Sequence, residues 1–177
     1  MPQLNKRTEI ITLNIKIMHS SVYQITTEKV EEDGLLDEDT LHQGDCSGLD
    51  YCSNIDNEER RERIEILVNR ILPEGMFTLI DENTIRYNGG VEIWQEEWVK
   101  LIKEKCSLVT ADNIQKWETL YYLQEAIENP LDAGSRFYDD NCGYSSYSEK
   151  SGEFMKSLNN LEAGTMLYIG GVVDYHY

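Results

Sequence analysis

The chain has 177 residues, with 33 Asp and Glu against 16 Lys and Arg, and a formal net charge of −17. That charge argues against direct binding to nucleic acid or to an anionic membrane surface. The length suits one domain with a real core, and no run of about 18 apolar residues is present to cross a membrane.

The charge is concentrated. Between Glu28 and Glu59 there are twelve acids and one base, Lys29, a net of −11. Hydrophobic residues still make up 40% of the chain, with three Trp and eleven Tyr, a globular composition.

At the front, Ile11, Leu13, Ile15 and Ile17 alternate with Thr12, Asn14 and Lys16, which predicts a strand. The same stretch superficially resembles a secretory signal. Glu9, Thr12, Asn14 and Lys16 interrupt it, and no small-residue cleavage site follows. The expectation is a cytoplasmic protein. Met18 is a candidate start, leaving residues 1–17 as an extension and 18–177 as the domain. The four cysteines, Cys46, Cys52, Cys106 and Cys142, are then expected as free thiols.

Residues 22–30 are rich in β-branched types and predict a strand. Residues 35–41 predict a short acidic helix, and 45–57 a loop long enough to suggest function or mobility. Asn57 is the expected N-cap of a helix to residue 71, with Ile64, Leu67, Val68 and Ile71 as its buried stripe. Pro73-Glu74-Gly75 ends it. Residues 76–80 and 84–87 predict a hairpin around Asp81-Glu82-Asn83. A helix over 91–105 is expected to bury Trp94, Trp98, Leu101 and Ile102. Thr110 is the expected cap of another, carrying Ile114, Trp117, Leu120, Tyr121 and Leu123 and ending before Pro130. Residues 135–138 predict a short strand, 139–147 a loop, and Ser148 the cap of a helix to 158. The last strand is expected over 165–177, with a bulge or kink at Gly170-Gly171. Hairpins mix with helices without strict βαβ alternation. This predicts a single α+β domain, its sheet mostly antiparallel, packed with about four helices.

Residues 76–80, 88–97 and 163–177 resemble segments of uncharacterised small acidic proteins of gut Bacteroidetes. The resemblance covers about the last two thirds of the chain. It carries no catalytic motif, implies only a bacterial, accessory-gene setting, and assigns a role to no residue.

Candidate chemistry is sparse. His42, Cys46 and Cys52 form H-x3-C-x5-C, looser than the tight Cys pairs zinc prefers, and a fourth ligand would have to come from Cys142, Asp45 or His176. Asp139-Asp140-Asn141-Cys142-Gly143 fails the calcium-loop spacing, with Gly143 at position 5 and Lys150 at position 12. A cysteine nucleophile needs a nearby histidine, and only His19, His42 and His176 exist; Cys142 with His176 is the one pair considered. No serine-hydrolase, phosphate-loop or zinc-protease motif is present, and Gly170-Gly171 lacks a dinucleotide frame. Glu58-Glu59 and Glu96-Glu97 are expected as solvated helix faces, and Trp94, Trp98 and Trp117 as core. No cofactor is expected.

The acidic segment has two readings: a solvated face that keeps the chain soluble, or a surface complementary to a basic partner. On the second, Asp37, Glu38, Asp39, Asp45, Asp50, Tyr51 and Asp56 are the candidate contact residues. Tyr138, Tyr144 and Tyr147 would add aromatic anchors. The leading expectation is a small acidic inhibitor that occupies the basic surface of a nucleic-acid-handling enzyme, an anti-defence role. One alternative is an immunity-type protein against a basic toxin. The other is an enzyme or metal protein using Cys46, Cys52 and Cys142.

Overall fold

The computed structural model describes residues 20–44, 49–131, 134–138 and 148–176. The strand expected over 11–17, Met18 and the loop at 139–147 lie outside them. The fold is α+β. Its strands are β1 (Ser20–Thr26), β2 (Tyr51–Asn54), β3 (Phe77–Asp81), β4 (Thr84–Tyr87), β5 (Arg136–Tyr138), β6 (Ser148–Lys150) and β7 (Met166–His176). Its helices are α1 (Asn57–Ile66), α2 (Val91–Ser107), α3 (Trp117–Glu128) and α4 (Ser151–Ser157).

The long strand β7 organises the sheet, whose order is β3-β4-β7-β1-β5-β6. One edge of β7 pairs with β1 along its length. The other edge is shared end to end, by β4 at Met166 to Tyr168 and by β2 at Val173 to His176. Among the described residues, only β1 and β5 run parallel. In the gap between β4 and β2, the Arg60 guanidinium donates to the carbonyls of Ile169 and Gly170, at 3.0 and 2.7 Å. It thus occupies acceptors that no strand reaches. Burial there lowers the Arg60 pKa from its ordinary value.

The glycine pair expected to bend the last strand does so. Tyr23 faces Val172 and Ile25 faces Ile169, so Gly170 and Gly171 together oppose Gln24. Such a bulge flips the alternation of the strand beyond it. Ile169 and Val172 therefore both enter the larger core, with Tyr23, Phe137, Ile64, Leu67, Trp94 and Met155. Val173 and Tyr175 turn to the opposite face, joining Val22 and Cys52 in a second core.

Several boundaries differ from expectation. The strand expected over 22–30 stops at Thr26. The N-cap of α1 is Asp56 rather than Asn57, its carboxylate accepting from the amides of Glu58 and Glu59 at 2.9 Å. After Ile66 the helix widens into a π turn, Leu67–Ile71, closed by the Leu72 amide donating to the Leu67 carbonyl. Ile64 and Leu67 are buried, while Val68 and Ile71 pack on that core. Thr110 does not start a helix. The Asn113 side chain accepts from the Thr110 amide and donates to the Leu108 carbonyl, each at 2.8 Å, which stabilises a turn. The helix begins later, at Trp117. Ser148 lies in β6, and α4 begins at Ser151, where the Asn129 carboxamide accepts from the Ser151 amide and hydroxyl. A cap borrowed from the end of α3 replaces the local one.

Of the three tryptophans, Trp94 is buried and Trp98 half-buried, their rings 5.2 Å apart, with the Trp98 indole N–H donating to the Ala126 carbonyl at 2.8 Å. Trp117 is not core; it is 70% exposed. In the first turn of α3 its ring stacks on Tyr121 at 4.8 Å and otherwise stands in solvent.

Candidate functional site

The acidic segment is a third layer of the fold. Helices cover one face of the sheet; residues 30–44, with Leu49, cover the other. Leu36, Leu41 and Leu49 are buried in the second core against Val22, Cys52, Val173 and Tyr175. The short helix expected over 35–41 is absent. Instead a 3-10 turn (Glu32–Gly34) leads into extended backbone at Leu35 and a turn at 38–40. Leucines separated by charged residues without helical spacing favour this: each dips inward while the carboxylates between them stay in water.

Buried Gln24 holds the layer to the sheet. Its side-chain oxygen accepts from the amides of Leu36 and Gly171, both at 2.9 Å, and its amide donates to the Gly34 carbonyl at 2.8 Å. The bulge makes this approach possible, since a Cβ on Gly171 would lie 1.9 Å from the Leu36 carbonyl oxygen. Two further side chains fasten the layer to β2. The Glu38 amide donates to the Asn54 side chain at 3.0 Å, and the Asn54 amide donates to the Glu38 carboxylate at 2.9 Å. Gln43 donates to the Glu38 carbonyl and accepts from the Cys52 amide at 2.8 Å.

The candidate contact residues therefore divide. Asp37 accepts from the amides of Asp39 and Thr40 and from the Thr40 hydroxyl, which holds its turn. Glu38 ties the layer to β2, and Asp56 caps α1. Asp39, Asp50 and Tyr51 stand exposed, Tyr51 on β2 beside His176 of β7. Glu28, Glu31, Glu32 and Asp33 are exposed on the same stretch. Asp45 lies outside the described residues, as do Cys46, Cys142, Tyr144, Tyr147 and His19. The loop expected over 45–57 contains β2, which the alternation of its few residues was too short to announce. Gln24 and the three inward leucines were the features sequence reasoning missed. A lone Gln among β-branched residues in β1 was the signal for the first.

The cysteine chemistry finds little support at Cys52. This thiol is 3% exposed, and burial, with Asp174 adding to it, pushes its pKa up to about 11. A thiol held protonated across the neutral range is a poor nucleophile and a poor metal ligand. Exposed Cys106 is expected to react with iodoacetamide at pH about 8, whereas Cys52 is expected to react only after denaturation. Site mapping by mass spectrometry checks this, and rapid labelling of native Cys52 would contradict it. Among the described residues, no three His, Cys, Asp or Glu side chains come together as a metal-binding group, and no helix is long and apolar enough to cross a membrane. Glu58, Glu96 and Glu97 are exposed; Glu59 pairs with Arg63 at 2.9 Å, and Arg63 also reaches buried Asp174 at 3.2 Å.

Comparison with known proteins finds no matching family, no similar curated protein and no similar solved structure.

Proposed function

We propose that this protein is a small acidic binding protein that occupies a basic, nucleic-acid-binding surface of a partner protein. One observation supports the reading above all: the acidic segment is built into the fold. Its backbone is fastened by Gln24, Glu38 and Gln43 and its leucines are buried, while Glu31, Glu32, Asp33, Asp39 and Asp50 stay at the surface. A flexible acidic tail would lose conformational entropy on binding, whereas a layer already ordered loses less. Ordered carboxylates also compete for the cleft in which a partner holds phosphates.

The test follows from which carboxylates hold structure. Glu31→Gln, Glu32→Gln, Asp33→Asn, Asp39→Asn and Asp50→Asn remove five charges without touching Asp37, Glu38 or Asp56. Exposed carboxylates contribute little to stability, so melting is expected to stay unchanged or rise slightly. Capture of nucleic-acid-binding proteins from a bacterial lysate is expected to weaken at least tenfold, and to lose most of its salt dependence, since the screening length is only about 8 Å at physiological salt. Duplex DNA is expected to displace the same partners from the wild type. If the variant captures them with the same salt profile, or DNA displaces none of them, the reading fails.

A further inference from the structure

The turn between β4 and α2 is Asn88-Gly89-Gly90, and it holds the one Asn-Gly pair in the chain. The fold uses both residues of that pair. The backbone passes from strand to helix in three residues, with Gly89 at φ +90° and Gly90 at φ +99°. Glycine adopts this left-handed backbone at no steric cost. A Cβ on Gly89 would also lie 3.2 Å from the Ala163 Cβ. Asn88 contributes its carboxamide. Nδ2 donates to the Gly75 carbonyl at 3.0 Å and to the Thr78 hydroxyl at 2.9 Å, and Oδ1 accepts from the Arg86 Nε at 3.1 Å. One side chain thus ties the turn before β3, β3 itself and β4 together.

Asparagine is a thermolabile residue, and a following glycine makes it more so. Glycine has no side chain to shield its amide nitrogen, which can attack the carboxamide before it. Attack requires the Asn88 carboxamide to swing toward the Gly89 nitrogen. Asn88 is exposed, so burial does not prevent this. Its three hydrogen bonds do. The backbone is pinned on both sides as well: the Asn88 amide donates to the Met76 carbonyl at 2.8 Å, and the Trp94 amide to the Gly90 carbonyl at 3.1 Å. We propose that Asn88 is a deamidation site latched by its own hydrogen bonds, so that opening of the β4–α2 junction converts it irreversibly.

The reaction consumes only water. The Gly89 amide gives its proton to hydroxide, and its nitrogen bonds to the Asn88 Cγ. The Cγ–Nδ2 bond breaks, and Nδ2 leaves as ammonia after taking a proton from water, which regenerates hydroxide. The cyclic imide then adds water. Cleavage of the new N–Cγ bond leaves an aspartate. Cleavage of the bond from nitrogen to the main-chain carbonyl carbon leaves an isoaspartate, whose backbone is longer by one carbon. An ionised carboxylate only accepts hydrogen bonds. In either product the Gly75 carbonyl therefore loses its donor, and the latch cannot close as before.

This inference is independent of the acidic-face reading. The experiment incubates the full chain at mildly alkaline pH and physiological temperature, native and in about 6 M guanidinium chloride. Peptide mass spectrometry follows the gain in mass as amide becomes acid, and chromatography separates the isoaspartate form. In denaturant Asn88 is expected to convert first among the asparagines. In the native chain it is expected to convert roughly tenfold more slowly or slower still, because reaction waits on local opening. Thr78→Val removes one acceptor of the carboxamide and suits a strand. It is expected to speed native conversion about two- to tenfold, the effect of one hydrogen bond. Its circular dichroism spectrum and its rate in denaturant are expected to stay unchanged. If Thr78→Val fails to fold, the native and denatured rates of the wild type decide. Equal native and denatured rates overturn the proposal. So does a folded Thr78→Val that converts at the native wild-type rate, or a different asparagine that converts first in denaturant.

Discussion

Gly171→Ala is expected to lower the melting temperature by roughly 6–12 °C, a large effect for one methyl group. The Cβ it adds would lie 1.9 Å from the Leu36 carbonyl oxygen and 2.7 Å from the Leu36 carbonyl carbon and Cβ. Backbone is in the way, so no side chain can swing aside; the layer itself must lift from the sheet. Overpacking commonly costs about 1–3 kcal/mol, and contact this close belongs at the upper end. At this chain length each kcal/mol lowers the melting temperature by about 2–4 °C. Gln24→Leu attacks the same joint from the other side. It leaves the Leu36 and Gly171 amides and the Gly34 carbonyl without their partner, and each buried unsatisfied group costs about 1–3 kcal/mol. Both variants are also expected to admit protease within residues 28–44, where the wild type resists. Melting within about 2 °C of wild type, with unchanged proteolysis, would mean that the layer is not held at this joint.

The parts of the fold legible in the sequence are those whose signals are local. Thr84 to Tyr87 read as a strand because its turn, Asp81-Glu82-Asn83, sits beside it; the Asn83 amide does donate to the Asp81 carboxylate at 2.9 Å. Gly170-Gly171 read as a bulge because few other reasons place two glycines inside a long β-branched strand. What the sequence hid depends on partners far along the chain. Ser148 looks like a cap, but Asn129 takes that role from 22 residues away. Residues 35–41 look like a helix because acids and leucines suit one. Gln24 and the second face of β7 instead draw the same leucines into an extended layer. The candidate site was legible as charge and illegible as geometry. Asp37, Glu38 and Asp56 look no different in sequence from Asp39 and Asp50, yet the first three hold turns, a strand and a helix end in place.

The tryptophans make the same point and yield the other large effect. Trp94→Ala is expected to cost about 3–5 kcal/mol, the usual range for emptying a buried aromatic site. Trp94 is 8% exposed, belongs to the larger core and packs at 5.2 Å against Trp98, whose indole N–H ties α2 to α3. Removing the inner ring leaves a cavity that two helices and the sheet must close together. The expected fall in melting temperature is roughly 6–20 °C. Trp117→Ala is expected to shift it by less than about 2 °C, because a ring 70% exposed loses mainly its stack on Tyr121. Both residues are tryptophans at helical spacing, and only their places in the fold separate them. Equal shifts for the two variants would mean that α3 is packed the other way round, with Trp117 inside.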